Sequence, residues 1–294
     1  MANNNTLLNR MFSRKMLSDI IKTNYSEIYS SVISRYIASP ENKTNRQLIS
    51  EVYNILRNDY RNEYFYKNTI LNQLLIKVHK IETTIALTEI PVANSIVDIL
   101  MINGKPKVYE IKTELDNFSK LKGQLYDYFK AFEYVSVVTA ETNVEKLQLF
   151  LKSLKDCSFC EFVGIYFIDK NSNIQMVQEP HSYKNLLDKH TMFKILRKKE
   201  YETILQNQGI LLPNVSQFKY YSECLKIFQT IPLDIAYNEF FTLLKSRSII
   251  EKDRLERIPE ELREVVYFSN IKEKEYDEIY NFLNLIYDYK KEPA

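Results

Sequence analysis

The stretch that most constrains the fold runs from residue 95 to residue 113, where two apolar segments flank an Asn-Gly pair. Residues 96–102 form an almost unbroken apolar run, which predicts a buried strand. Asn103-Gly104 follows and is the strongest hairpin signal in the chain, because both positions tolerate a positive φ. Residues 107–113 are the predicted partner strand. The stretch therefore predicts a β-hairpin within a packed sheet.

Charged residues interrupt both predicted strands of this hairpin. Asp98 lies in the first strand, while Glu110 and Lys112 lie two residues apart in the second and therefore share a face. An ionised carboxylate in an apolar strand is costly unless it is paired, hydrogen-bonded or bound to a metal. The hairpin brings Asp98 opposite the region of Glu110, but Pro106 can distort the turn. A one-residue slip would turn Asp98 to the other face, so the register stays open.

If the three side chains converge, Asp98 and Glu110 supply hard oxygen ligands for Mg²⁺. A bound metal ion lowers the pKa of its water and stabilises charge on a phosphodiester. The Lys112 ammonium would orient that water or neutralise developing negative charge. The alternative is an ordinary ion pair on a half-exposed hairpin, and an isolated Glu-x-Lys pattern favours that alternative. The position of Asp98 and the order of the surrounding elements favour the metal site.

The predicted elements divide the chain into three segments. Residues 1–60 predict a helical N-terminal extension, and residues 171–294 predict a helical C-terminal region. Residues 61–170 predict an α/β core. Its elements in order are a helix over 61–78, strands over 85–90, 96–102 and 107–113, a helix over 118–132, a strand over 134–139, a helix over 144–154 and an edge strand over 162–168. We therefore expect an α/β protein with a small mixed sheet and helical additions at both ends.

The motif of this core resembles that of a known superfamily. Asp98 followed by Glu110-Ile111-Lys112 resembles the Asp…(Asp/Glu)-x-Lys signature of the PD-(D/E)XK nucleases. The predicted order of helix, three strands, helix and strand is similar to the common restriction-endonuclease-like core of that superfamily. Val97 stands where the superfamily name has proline, at a position that varies widely. The resemblance implies the fold and a nuclease site.

A longer match narrows the resemblance to one group within the superfamily. The string over residues 109–116, with segments over 63–68 and 193–198, is similar to a group of bacterial and phage proteins whose role is poorly defined. The likeness covers roughly residues 60–205 and is most specific between residues 95 and 140. It implies a place in phage biology or host defence.

Further site residues follow from the same resemblance. Gln124 and Tyr128 lie four residues apart on one helix face and resemble the Gln-x-x-x-Tyr motif beside RecB-like sites, which positions the site and the nucleic-acid strand. Alternatively they are a surface glutamine and a half-buried tyrosine. The superfamily usually adds one more acidic residue, for which Glu63 and Glu89 are the candidates. We favour Glu89, because it ends a predicted strand and strand ends line such sites.

The resemblance implies a metal-dependent nuclease that hydrolyses phosphodiester bonds, with Mg²⁺ or Mn²⁺ as cofactor. DNA is favoured over RNA as the nucleic-acid partner, and a homodimer is compatible because duplex cutters often pair two sites. Asp98 and Glu110, completed by Glu89 or Glu63, would hold the metal, and Lys112 would assist catalysis. The alternatives are a catalytically inactive nucleic-acid-binding or protein-interaction module that retains the fold, and an immunity-type partner protein that acts through its helical flanks.

Composition bears on which partners and which cellular location to expect. Lysine and arginine number 40 against 38 acidic residues, a formal charge of +2, so net charge alone argues for no nucleic-acid partner. A local basic cluster, Arg197-Lys198-Lys199, could still grip a phosphate backbone. Because there is no long uncharged apolar run and no signal-peptide pattern at the N-terminus, we expect a cytoplasmic protein without a membrane partner.

Cysteine usage points the same way. The three cysteines Cys157, Cys160 and Cys224 are too few for a disulfide framework. Cys157-x-x-Cys160 lacks a second ligand pair, which argues against zinc. We therefore expect reduced, buried thiols.

Overall fold

The computed structural model describes residues 5–78, 83–247 and 252–288, and the chain divides into two compact units. The first unit contains the described residues of Met1–Glu82 and Ile250–Ala294, and the second those of Thr83–Ile249. These bounds differ from the three predicted segments. Helices from both ends of the chain join in one unit. The sequence did not predict this grouping, because packing between distant segments leaves no local sequence signal. The helices that follow the sheet belong with it.

Both units contain several helices. The α-helices within the described ranges are α1 (Asn5–Met11), α2 (Arg14–Thr23), α3 (Glu27–Tyr36), α4 (Asn45–Asp59), α5 (Glu63–Ile70), α6 (Leu121–Phe129), α7 (Val144–Ser153), α8 (Lys189–Ile195), α9 (Lys198–Asn207), α10 (Gln217–Thr230), α11 (Leu233–Lys245), α12 (Lys252–Arg257), α13 (Arg263–Tyr267) and α14 (Glu273–Asn284). A π-helical segment, Leu71–Val78, continues α5, and short 3₁₀ turns occupy Glu141–Asn143, Cys160–Phe162 and Glu260–Leu262.

The first unit is helical, and its helices begin where capping residues stand. Ser13, Ser26, Thr44 and Asn62 each accept a backbone N–H from the first turn of the helix that follows. Within this unit the Asn45 side chain donates to the carbonyl of Phe282 at 2.9 Å, which joins α4 to α14. None of the helices in the described ranges has the length and apolar character needed to cross a membrane.

The second unit is built on one mixed sheet of six strands in the order β1-β2-β3-β4-β5-β6. The strands are β1 (Ile85–Val92), β2 (Ser95–Asn103), β3 (Lys105–Lys112), β4 (Tyr134–Ala140), β5 (Gly164–Ile168) and β6 (Ile174–Gln178). Strands β3, β4 and β5 are parallel, because α6 and α7 supply the crossovers that parallel strands need. The other neighbouring pairs are antiparallel. The predicted α/β class with a mixed sheet is confirmed.

The apolar core of this unit lies between the sheet and the helices that cover it. Helix α6 packs on β2 and β4, and α8 packs on β1. The central strand β4 is buried along almost its whole length, as expected for a parallel strand covered on both faces. Large fully buried side chains from four helices or their ends fill this core: Phe129, Phe132, Phe193, Phe228 and Phe240. Burying a side chain of this size contributes roughly 1.5–3 kcal/mol.

Two prolines lie inside strands without disturbing the pairing. Pro91 lies in β1, at the edge of the sheet, where a missing N–H is tolerated. Pro106 lies in β3 opposite Ile102, and the ladder to β4 begins one residue later at Lys107. The predicted distortion of the hairpin by Pro106 is therefore wrong.

The sheet is larger than predicted. The predicted edge strand over 162–168 is β5, and β6 extends the sheet beyond it. The turn between them is polar: the N–H of Asn173 donates to Asp169 Oδ1 at 2.8 Å, and Ser172 adopts a φ of +67°. Because β6 presents exposed apolar residues at an edge, its pattern does not resemble a buried strand.

The predicted helical region over 171–294 is interrupted in two places. Residues 183–187 form no helix: the N–H of Tyr183 donates to the carbonyl of Glu133 at 3.0 Å, and the N–H of Leu187 closes a turn on the carbonyl of Lys184 at 3.0 Å. At Leu196 the backbone is extended and separates α8 from α9.

The expectation of reduced thiols is wrong for two cysteines. Cys157 and Cys160 form a disulfide in the turn before β5. Cys224 is free and buried on α10. Sequence spacing allows a disulfide within a Cys-x-x-Cys turn but does not require it, so only the local geometry decides.

Candidate active site at the β2–β3 hairpin

The register of the β2–β3 hairpin decides which charged side chains share a face. Ile99 pairs with Tyr109, and continuing that register by one residue places Asp98 opposite Glu110. Residues directly opposite each other in an antiparallel pair lie on the same face. Gly104 takes the turn at a φ of +71°, as its residue type predicts. The register that the sequence leaves open is thus the one that brings the two carboxylates to one level.

Glu110 is the centre of the site. Its side chain is almost completely buried, with 1% of the residue exposed. Carboxylate oxygen Oε1 accepts from Lys112 Nζ at 2.6 Å and from Gln124 Nε2 at 2.6 Å. The other oxygen, Oε2, lies 2.6 Å from the Tyr128 hydroxyl. Three of the predicted site residues therefore meet within hydrogen-bonding distance of the buried carboxylate of a fourth, Glu110.

Tyr128 links this carboxylate to the neighbouring strand. Its hydroxyl also lies 2.6 Å from the carbonyl of Ile96, and its one proton can be donated to either acceptor. Burial, and then the negative charges of Glu110 and Asp98, raise the pKa of Tyr128 well above that of a free tyrosine. Tyr128 is therefore a neutral hydrogen-bond donor and not a base.

Asp98 is tied to β3 beside Glu110. Its Oδ2 accepts the backbone N–H of Ile111 at 2.7 Å, so the Asp98 side chain is the acceptor for a backbone donor of β3. Its own carbonyl accepts from the Thr88 hydroxyl at 2.7 Å. The carboxylate is half-buried and close enough to raise the pKa of Tyr128. Asp98 thus lies at the same level of the sheet as Glu110 and is held in place by backbone contacts.

The sequence predicts that Glu89 ends a strand. In the structure it lies in the middle of β1, because β1 continues through Pro91 to Val92. The β1–β2 register has Thr88 opposite Ile99. Continued by one residue, it sets Glu89 opposite Asp98. Three acidic residues from three neighbouring strands therefore occupy one row across the sheet.

The backbone of Glu89 is unusual. Its φ is +57°, in the left-handed region that residues other than glycine seldom enter, and its side chain is exposed. A conformation of this kind costs of order 1–3 kcal/mol and persists only where the surrounding structure imposes it. Such outliers cluster at functional sites, which directs attention to this position.

Glu63, the other candidate acid, belongs to the first unit. It lies in the first turn of α5, where its Oε1 is 2.6 Å from Lys67 Nζ. An i,i+4 ion pair of this kind explains the residue locally. Its role as a metal ligand stays a prediction.

Asp127 is a positioning residue that the sequence reading missed. It is buried on α6, where Oδ2 accepts the N–H of Asn94 at 3.1 Å and the hydroxyl of Ser95 at 2.9 Å. These bonds fasten the β1–β2 turn to the helix that carries Gln124 and Tyr128. The available signal was a carboxylate within an apolar helix face, directly before Tyr128.

The donor chemistry of the site fits a hard cation. Gln124 Oε1 is buried and lacks a hydrogen-bond partner. Together with the carboxylates of Asp98 and Glu110 it makes an oxygen-only set of the kind that Mg²⁺ and Mn²⁺ prefer. In the described part of the chain, no three His, Cys, Asp or Glu side chains are grouped closely enough to hold a metal ion.

Comparison with known proteins gives one finding. The family model described as bacteriophage P4 protein cII matches residues 56–267, more than two thirds of the chain, including the hairpin and α6. Searches of curated proteins and of solved structures gave no match.

Proposed function

We propose that this chain, which belongs to the bacteriophage P4 cII protein family, is a metal-dependent nuclease that hydrolyses phosphodiester bonds in DNA. The observation that carries the proposal is the convergence of Lys112, Gln124 and Tyr128 on the buried carboxylate of Glu110. Desolvating a carboxylate is costly, and donors from three positions hold this one beside Asp98. The arrangement matches the roles that the PD-(D/E)XK resemblance assigns to the same residues.

The order of elements supports the same proposal. From α5 to β4 the chain runs helix, three strands, helix and strand, the order of the restriction-endonuclease-like core. Strands β3 and β4 are parallel and joined by α6, so the helix that carries Gln124 and Tyr128 crosses next to the strand that carries Glu110. Fold likeness alone would not establish an activity, and the site residues make the stronger argument.

Asp98 and Glu110 would hold a Mg²⁺ or Mn²⁺ ion, with Glu89 as the third acid of the row. The bound ion would supply an activated water and a counter-charge for the phosphate. The Lys112 ammonium, paired with Glu110 at 2.6 Å, would turn to the negative charge that develops on the phosphate. Gln124 and Tyr128 would hold the two Glu110 oxygens in position. A neutral Tyr128 donates through the physiological pH range without competing as a base.

Substrate recognition would begin next to the site. Lys120 and Lys122 are exposed at the start of α6, close in sequence to Gln124, and would contact phosphates. In the more distant Arg197-Lys198-Lys199 cluster, Lys198 lies over the ring of Tyr220, 4.9 Å from its centroid, with its side chain 65% exposed. A homodimer and a role in phage biology or host defence stay predictions.

The test is cleavage by the purified full-length protein. Supercoiled plasmid, single-stranded DNA and RNA are each incubated with Mg²⁺, with Mn²⁺ or with EDTA. Asp98→Ala and Lys112→Ala should abolish metal-dependent cleavage. Glu114→Ala and Lys155→Ala remove the same charges from exposed positions of the same unit and should retain it. Cleavage at the wild-type rate in the two site variants would refute the assignment.

A second candidate function is a catalytically inactive nucleic-acid-binding or protein-interaction module. One observation favours it: Glu110 Oε1 already pairs with Lys112, as in a structural ion pair. Calorimetric titration with Mn²⁺ separates the two candidates. A nuclease site should give binding heat that disappears in Asp98→Ala, whereas an inactive module should give the same heat in both proteins while retaining its partner.

A further inference from the structure

We propose that the Cys157–Cys160 disulfide is a reversible redox site that exchanges electrons with a dithiol. It is independent of the proposed nuclease function and lies on a different part of the same unit. The two cysteines are three residues apart and line a cleft of about 570 Å³ together with Lys152, Gln178 and His181.

The disulfide contributes little to holding the fold. The entropy that a crosslink removes from the unfolded chain grows with the length of the loop it closes, and this loop is minimal. The turn is also closed by its own backbone, since Cys160 N–H donates to the Cys157 carbonyl at 3.4 Å. Phe159, inside the loop, is buried and packs on Phe129 with ring centroids 5.4 Å apart. The turn should therefore keep its shape when the disulfide is reduced.

The two cysteines differ in exposure. Cys160 is a buried residue at 8% exposure, whereas Cys157 is half-buried, and both line the cleft. An incoming thiolate would therefore attack Cys157. Lys152 contributes an exposed ammonium to the cleft lining, His181 an imidazole and Glu161 one carboxylate. A cation beside the cysteines stabilises a thiolate, and Lys152 is the lining residue that supplies one.

The reaction balances with the dithiol as the two-electron reductant. One thiolate of the dithiol attacks Cys157 Sγ, the Cys157–Cys160 bond breaks, and Cys160 leaves as a thiolate that takes a proton from solvent. The second thiolate of the dithiol then attacks the dithiol sulfur that is bonded to Cys157 in the mixed disulfide. Cys157 is released as a thiolate, and the dithiol becomes a disulfide.

The experiment counts thiols in the folded full-length protein. One arm uses graded ratios of reduced to oxidised dithiothreitol, a small dithiol. The other uses thioredoxin with its reductase and NADPH, a protein dithiol. Samples are quenched in acid, denatured, alkylated with a maleimide and weighed by mass spectrometry. We expect one alkylated thiol in the oxidised protein and three after reduction in at least one arm, reversed by oxidised dithiothreitol, with an unchanged circular dichroism spectrum.

Three results would overturn the proposal. They are a count that stays at one in both arms, a count of three under every condition, and reduction that occurs only with loss of the folded spectrum. Cys224→Ser is the matched control and should switch between zero and two thiols.

Single variants test the order of attack. In the Cys224→Ser background, the Cys157 thiol left by Cys160→Ser should react faster with 5,5′-dithiobis(2-nitrobenzoic acid) than the Cys160 thiol left by Cys157→Ser. Equal rates would overturn the assignment of Cys157 as the attacked sulfur.

Discussion

Two carboxylates in the sheet-containing unit, the buried Glu110 and the partly buried Glu200, each pair with a cation, and they differ in the donors that hold them. Glu200 accepts from Arg247 Nε at 2.7 Å and from Arg247 Nη2 at 2.5 Å, one bond to each oxygen. The N–H of Arg197 adds a bond of 2.7 Å to the same carboxylate. Glu110 accepts from a lysine, an amide and a phenol that come from β3 and α6.

The difference separates an ion pair that fastens helices together from a site that can accept a ligand. Burial alone would raise the pKa of Glu200, but the bonds from Arg247 and the Arg197 amide outweigh it and hold the pKa below that of a free glutamate. The planar guanidinium matches the carboxylate bidentately. Around Glu110 the cation is a point charge on a flexible stem, and the neighbouring Gln124 Oε1 is unsatisfied.

Removing the arginine should have the largest effect. Arg247→Ala leaves the partly buried Glu200 without its cation, which should lower the free energy of unfolding by about 3 kcal/mol, the lower end of the range for fully buried pairs. For a unit of this size each kcal/mol lowers Tm by roughly 2–4 °C. Thermal unfolding measures the loss. Lys226→Ala removes an exposed ion pair with Glu223 and should cost less than about 1 kcal/mol. Equal losses of stability in Arg247→Ala and Lys226→Ala would show that the Glu200–Arg247 pair stabilises the unit no more than an exposed ion pair does.

Matched amide substitutions sharpen the comparison. Glu110→Gln should lower the cleavage rate by about 10²–10³-fold, the range for losing a preorganised electrostatic group, and change stability by less than about 1 kcal/mol. Glu200→Gln should leave cleavage unchanged and lower the free energy of unfolding by about 1–3 kcal/mol. Cleavage assays and urea denaturation of both variants give the result. A loss of stability in Glu110→Gln as large as that in Glu200→Gln would make the former a structural pair.

The pH dependence of stability should report Glu200. Because its pKa is lowered on folding, its contribution is fully present above the ordinary pKa of glutamate. It is lost as pH falls through the lower, folded-state value. The stability difference between wild type and Glu200→Gln should therefore shrink as pH falls from 7 to 2, measured by urea denaturation. A difference that grows on acidification would contradict the assignment.

The smallest effect is expected at Tyr128. Tyr128→Phe removes a donor that Glu110 and Ile96 share, so it should cost about 0.5–1.5 kcal/mol of stability and at most roughly tenfold in cleavage, the rate equivalent of 1.4 kcal/mol. Tyr126→Phe, on the exposed face of the same helix, is the control and should change neither quantity. Equal effects in the two variants would exclude a role for the buried hydroxyl.

Local patterns predicted the local parts of this molecule. The hairpin follows from Asn103-Gly104 between two apolar runs. Spacing places Gln124 and Tyr128 on one helix face, whereas their approach to Glu110 was implied only by the family resemblance. Contacts between distant residues were not predictable. Arg247 meets Glu200 47 residues away, and the N–H of Tyr183 donates to the carbonyl of Glu133. Neither contact leaves a periodic pattern, and the same holds for β6 and for the φ of Glu89.

The backbone of Glu89 has a consequence for directed evolution. In a library screened for thermal stability, asparagine should replace Glu89, because it adopts a left-handed φ at lower cost. In a library screened for DNA cleavage, the glutamate should persist if its carboxylate serves the site. Two selections from one starting pool should therefore diverge at position 89. Sequencing both selected pools would show whether the glutamate is kept for stability or for cleavage.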